Sequence, residues 1–231
     1  MKAIAHIEND YTEKFGIPRQ SGLNQALLSR IVMEPAYRVP EAFRGIEAYS
    51  HLWLIWEFSA VKESVAFSPT ARPPRLGGNT RLGVFATRSP FRPNRLGLSC
   101  VELVRVEQTE EGPVLIVAGA DLMNGTPLFD IKPYLPYADA HPEARIHPDL
   151  SSPQLQVIIP DALKARLPED KIAPLTGLLA LDPRPAYQED PERIYGLSFG
   201  PYNVRFRVQG EVLEVCEISG FSSSGMNQLS T

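Results

Sequence analysis

The chain has 231 residues, enough for one large domain or for a domain of ordinary size plus a smaller one. Hydrophobic residues make up 43% and charged residues 22%, which is the composition of a globular protein and excludes a disordered one. A net charge of −4 and a pI near 5.6 exclude a protein that binds polyanions over its whole surface, so any nucleic-acid contact must be local.

The N-terminal MKAIAHIEND has no apolar segment before Glu8, which speaks against a signal peptide and for a cytoplasmic protein. The longest uninterrupted apolar run is five residues, as in residues 52–56. A bilayer-spanning helix needs about 20, so no membrane segment is expected. Cys100 and Cys216 match neither a metal spacing nor a disulfide framework and are expected to be buried thiols.

In chain order, weak alternation over residues 2–7 predicts an opening strand, followed by a loop ending in FGIPRQ. Pro18 fixes its own φ and disfavours helix at Ile17, so Arg19 and Gln20 sit on a shaped, extended backbone. Residues 27–33 predict a second strand and residues 40–43 a helical turn. HLWLIWEF at 51–58 is apolar on both alternating faces and predicts a strand buried on both sides. His51 at its start has the character of a packed structural residue. Further strands are predicted over 80–87, 96–108, 113–120 and 127–133, with turns at Glu111-Gly112 and Asn124-Gly125. Many strands at short spacing without amphipathic helices predict an antiparallel sheet closed into a barrel.

Residues 134–153 have no clear period and predict a linker; His141 and His147 there have no partners at ligand spacing, so no metal is expected. Short helices over 161–166 and 170–181, then strands over 194–199, 202–208 and 211–218, predict a small appended α+β unit. The whole is mostly β, with domains at 1–150 and 151–231.

Residues 68–100 hold six arginines (Arg72, Arg75, Arg81, Arg88, Arg92, Arg95) and neither an acid nor a lysine. Arginine offers a planar fork of donors matched to carboxylate or phosphate, so this stretch points to recognition; the plainer reading is a solvated surface loop. The glycine-rich strand-to-helix motif of a Rossmann methyltransferase is missing, as is a GKS or GKT phosphate loop. From the residues alone, the chain carries an arginine-rich recognition site on a β scaffold, with no cofactor named.

Five ordered segments go further: PRQ at 18–20, YSHLW at 49–53, RPPRLGGN at 72–79, GVFATRSPFRPN at 83–94 and DIKPYLPY at 130–137. Together they resemble the TsaA-like, or TrmO, family of tRNA methyltransferases, which act on N6 of threonylcarbamoyl-adenosine at position 37 in the anticodon loop. DPRPAY at 182–187 and YNVRFRV at 202–208 look like the family's C-terminal extension, so the resemblance covers nearly the whole chain. It implies a single-sheeted antiparallel barrel with a small α+β domain, S-adenosylmethionine as cofactor, tRNA as partner and a homodimer.

Carried over position by position, the resemblance places cofactor contacts on Pro18, Arg19, Gln20, Arg88, Leu98, Asp121, Leu122, Met123 and Asn124. Ser59 and Ala60 are expected among the cofactor contacts too, and stand where the family commonly has a histidine. Asn124 replaces a common aspartate, and Arg95 a common proline. Asp121, Asp130 and the carbonyls of residues 130–134 are the catalytic candidates, as acceptors that hold an N–H of the reacting amine out of the ring plane, with Tyr134 a ring on which the base can stack. The plainer reading of Asp130 and Lys132 is an ion pair. Arg72, Arg75, Arg92, Arg95, Arg184, Arg205 and Arg207 are candidate RNA contacts; for Arg205 and Arg207 the alternative is a charge ladder with Glu214 and Glu217. Two other functions stay open: a non-catalytic RNA-binding module, and methylation of a small metabolite.

Overall fold

The computed structural model describes residues 1–61, 67–73, 80–110, 112–145, 154–184 and 190–220. Twelve strands follow one another as β1 (Ala5–Glu8), β2 (Leu28–Met33), β3 (His51–Glu57), β4 (Thr70–Ala71), β5 (Leu82–Gly83), β6 (Leu96–Thr109), β7 (Gly112–Ala118), β8 (Pro127–Pro133), β9 (Gln156–Ile158), β10 (Tyr195–Phe199), β11 (Tyr202–Gln209) and β12 (Val212–Gly220). Three helices, α1 (Pro136–Asp139), α2 (Asp161–Lys164) and α3 (Glu169–Ala180), lie between β8 and β10.

The strand order β1-β2-β7-β6-β3-β8 returns to β1 and forms a closed barrel, every pair antiparallel. Alternation explains the core. In β3, Leu52, Leu54 and Trp56 point inward and meet Val101, Leu115, Val117 and Leu128, whereas Trp53 and Ile55 face out and are only half-buried. The expectation of a β3 buried on both faces is therefore corrected: its outer face is not fully covered. Residues 80–87 are also not one strand. Only Leu82–Gly83 is extended, and a 3-10 turn over Val84–Ala86 follows, where Thr87 returns both its N–H and its hydroxyl to the Val84 carbonyl.

The second unit is a four-stranded sheet, β10-β11-β12-β9, in which β9 adds parallel to β12. The segment between β1 and β2 joins it to the barrel. Tyr11 and Leu27 are buried in the same cluster as Leu175, Leu197, Phe199 and Phe206, with Phe15 and Ile17 packed against it. Gly16, at φ +88°, lies so close to Leu197 that a Cβ there would collide with it. Polar ties follow the same path: Lys171 Nζ lies 2.5 Å from Asp10 Oδ2, the Gly200 N–H donates to the Asp10 carbonyl, and Asn24 donates to the Tyr11 hydroxyl and the Pro174 carbonyl.

Cys100 is half-buried and Cys216 exposed, so the expectation of two buried thiols is corrected; Cys216 lies on an outward position of the edge-proximal β12. No helix among the described residues is long and apolar enough to cross a membrane.

Candidate active site

The antiparallel register gathers the C-terminal ends of β1, β3 and β7 and the N-terminal ends of β2, β6 and β8 at one mouth of the barrel. Here Gly97 pairs with Trp56, and the indole occupies the space a Cβ at Gly97 would take. The Trp56 Nε1–H donates to Ser99 Oγ at 2.9 Å, and the Ser99 hydroxyl donates to Asp121 Oδ1 at 2.5 Å. Ser99 is 1% exposed, so this serine is a structural part of the mouth and not a surface group.

Burial pushes the Asp121 carboxyl above the usual carboxylate range, against the opposing pull of the Ser99 hydroxyl, backbone N–H groups including that of Ser21, and the positive charge of Arg88. Arg88 in turn donates to Gln20 Oε1. Ser21 also accepts from the Cys100 N–H at 3.2 Å. Residues remote in sequence, Ser21, Arg88 and Ser99, thus converge on the half-buried Asp121.

The expected cofactor residues do not all gather in one place. Gln20, Arg88 and Asp121 come together at this mouth. Leu98 lies beside them on the outer face of β6, 58% exposed and opposite Ile55. Pro18 is buried, and Leu122 is fully buried in the barrel core, so its side chain acts as packing there. Arg19 turns away from the mouth and donates to the carbonyls of Asp182 (3.3 Å) and Arg184 (3.2 Å) in the second unit. Asn124 accepts from the Asn9 N–H at 3.0 Å and donates its own N–H to the Tyr11 carbonyl, holding the start of the 9–27 loop. Met123 is half-buried, and Ser59 is exposed just beyond β3; the Ala60 carbonyl accepts from Lys14 Nζ at 2.5 Å.

Asp130 and Tyr134 lie elsewhere, along β8 and just after it. Lys132 Nζ is 2.9 Å from Asp130 Oδ2, so the ion pair is present. The Tyr134 ring centroid is 5.7 Å from that of Trp53 and 6.1 Å from that of His51. Trp53 donates its indole N–H to Asp139, which also accepts from the Leu135 N–H; that backbone donor first, and then the indole, hold the Asp139 carboxyl below its ordinary range.

The arginines expected to meet RNA are more engaged than their sequence suggests. Arg92 donates to the carbonyls of Val84 and Thr87, and Arg95 to the Val61 carbonyl while pairing with Glu57 at 2.9 Å. Arg184 pairs with Asp182, Arg205 with Glu217 and Arg207 with Glu214. The last two are the cross-strand ladder: their Cα atoms are register partners in β11 and β12. Arg72 is exposed, and Arg75 lies outside the described residues. Ser99 and Trp56, the partners that shape Asp121, had no signal in the sequence, because a serine inside an apolar strand shows its hydrogen bond only once the sheet closes.

Among the described residues, no three His, Cys, Asp or Glu side chains cluster as metal ligands. The barrel mouth thus brings together a half-buried carboxylate, a guanidinium and a side-chain amide. Comparison with known proteins fixes which family this is. The tRNA-methyltransferase O N-terminal domain matches residues 6–140, and the TrmO C-terminal domain residues 152–221. The chain belongs to the TrmO family. It is 40% identical over 222 residues to the tRNA (adenine(37)-N6)-methyltransferase of Escherichia coli, covering 92% of this chain and 94% of that protein. It is 38% identical over 227 residues to a putative S-adenosylmethionine-dependent methyltransferase, RcsF, of Pseudomonas aeruginosa, covering 94% and 96%. The crystal structure of TrmO from Pseudomonas aeruginosa superposes with a TM-score of 0.75 at 32% identity, covering 94% of this chain and 97% of that one.

Proposed function

We propose that this protein is an S-adenosylmethionine-dependent tRNA (adenine-N6)-methyltransferase that acts on threonylcarbamoyl-adenosine at position 37 of the anticodon loop. The observation that carries the reading is the mouth of the barrel, where Gln20, Arg88 and Asp121 converge in a chain of the TrmO family. The donor set suits the cofactor. Its amino-acid end carries a carboxylate, which Arg88 with Gln20 can bind. When bound, the cofactor supplies an electrophilic methyl group on a sulfonium.

The chain's own residues then do three things. Arg88 and Gln20 hold the polar end still, because each restrains the other. Trp56 fills the base of the mouth and excludes water from it. An acceptor takes the proton that N6 loses as the new N–C bond forms. Asp121 is the better placed of the two candidate acids: burial raises its proton affinity, whereas Asp130 is already paired with Lys132. Tyr134, on its aromatic cluster with Trp53 and His51, is the candidate ring for the substrate base. Arg72 and the neighbouring arginines supply local positive charge for RNA.

The protein works in the cytoplasm as a homodimer without a metal; family resemblance supports the dimer, and the exposed Leu98 beside Ile55 offers an apolar contact on the outer face. Incubation with methyl-labelled S-adenosylmethionine and tRNA that carries unmethylated threonylcarbamoyl-adenosine should put label into that nucleoside, read by mass. Label in no nucleoside sinks the enzyme reading, and label in a small metabolite alone replaces the substrate.

A further inference from the structure

Phe85 is 74% exposed and Phe91 51% exposed, both unusual for phenylalanine, and both lie in a loop that is bonded to itself rather than slack. Val84 is buried and anchors it. The Val84 carbonyl accepts from the Thr87 N–H, the Thr87 hydroxyl and Arg92. The Thr87 hydroxyl accepts from the Ser89 N–H, and the Ser89 hydroxyl from the Phe91 N–H. The Arg92 guanidinium lies 5.7 Å from the Phe85 ring centroid and fixes that ring from one side. The loop costs little entropy to use, since its order exists before any ligand arrives.

Its position matters as much. Arg88, midway between the two rings, is the residue that reaches Gln20 and the Asp121 mouth. Residues 68–100 carry no acid of their own, and Arg92 lies against the Phe85 ring. Rigid, exposed aromatic rings set among arginines fit a single-stranded polyanion with flat bases: the bases stack and the backbone is neutralised. A protein interface also sets an apolar core in a polar rim, so the choice of RNA rests on the tRNA substrate of the proposed function together with the guanidinium of Arg92 against the Phe85 ring.

We infer that Phe85, held by Arg92, is a stacking platform for an anticodon-loop base next to the one that enters the mouth, with Phe91 as a second contact. The inference rests on tRNA being the substrate and names the surface that grips it. The base to be methylated must leave its stack to reach the mouth of the barrel, and a ring that takes the place of its lost neighbour lowers the cost.

The test uses the full chain and an anticodon stem–loop RNA with 2-aminopurine beside the target adenosine. In the wild type the probe's fluorescence should be quenched on binding. Phe85→Ala should weaken RNA binding by about 5- to 150-fold, the range for losing one base–aromatic stack, and abolish the quench. Phe85→Trp should retain both, and Phe85→Leu should behave as the alanine variant. Calorimetric binding of S-adenosylmethionine should be unchanged in all three. Wild-type RNA affinity in Phe85→Ala overturns the platform. So does a fall in sedimentation mass with Phe85→Ala, which would assign the rings to contact with a second copy of the chain. A wild type that binds and quenches the probe yet transfers no methyl would leave the platform standing and remove the enzyme reading; a wild type that does not bind the RNA removes both.

Discussion

The Ser99 hydroxyl lies 2.5 Å from Oδ1 of Asp121 and is itself the acceptor for the Trp56 indole N–H at 2.9 Å. The serine stabilises the ionised carboxyl, opposing the burial that raises its proton affinity. If Asp121 accepts the N6 proton as a carboxylate, activity must rise with pH through its raised pKa. Ser99→Ala removes a donor to the charged form, so the rising limb of the kcat/KM profile should move to higher pH. The expected displacement is about one unit, equivalent to ~1.4 kcal/mol, close to the worth of a hydrogen bond to a charged group. A profile with an unmoved limb and merely lower amplitude would make Ser99 a packing residue and Asp121 a bystander.

Arg19 and Arg88 were alike in sequence, as flexible donors in family-like segments, and the structure sends them in different directions. Arg88→Ala should cost S-adenosylmethionine binding about 1.5–3 kcal/mol by calorimetry, the range for a hydrogen bond to a charged group. Arg19→Ala should cost cofactor binding less than Arg88→Ala and should raise amide exchange around Asp182 and Arg184, whose carbonyls it holds. Equal losses of affinity in the two variants, with exchange unchanged, would return Arg19 to the cofactor.

The strands were legible where side chains alternate, as in Leu52, Leu54 and Trp56 of β3 or Val204, Phe206 and Val208 of β11. The mostly-β class followed from them, as did Arg88 and Asp121 from resemblance. What was hidden depends on contacts distant in sequence. β9 is three residues long and exists only because β12 offers an edge. Residues 80–87 have the β-branched content of a strand, yet local bonds to the Val84 carbonyl turn them into a loop. The acid-free stretch 68–100 concealed that Arg95 pairs with Glu57, which lies outside it in sequence but beside it in the sheet.

The same pairing alters the expected salt dependence. Arg205 and Arg207 are matched to Glu217 and Glu214, so a double Arg205→Ala, Arg207→Ala variant should change the KM for tRNA by less than about threefold, as expected for exposed ion pairs that contribute little. Binding should then depend on few phosphate contacts, with a log–log salt slope of about −2 to −3. A slope near −5, or one that falls by about two in the double variant, would bring the ladder arginines into the RNA interface.

Were the second unit a detachable RNA-binding accessory, a chain cut near Leu150 would fold and bind S-adenosylmethionine while methylating tRNA slowly. The packing predicts otherwise. Tyr11 and Leu27, each 2% exposed, are covered by Leu175, Leu197 and Phe199, and the cut would bare them together with Phe15 and Ile17. It would also strip Asp10 of Lys171 and Asn24 of the Pro174 carbonyl, leaving partly or fully buried polar groups without their partners. All of these residues lie in the 9–27 segment that also carries Gln20 and Ser21 to the mouth. The truncated chain should therefore melt at least several degrees below the full chain, or fail to fold, and should lose cofactor binding along with RNA methylation. Gly16→Ala in the full chain tests the same joint without removing anything: its Cβ collides with Leu197 and its φ is left-handed, so it should lower both the melting temperature and cofactor affinity. A truncated barrel with full-length stability and cofactor affinity, or a Gly16→Ala variant indistinguishable from wild type, would show that the second unit does not shape the mouth.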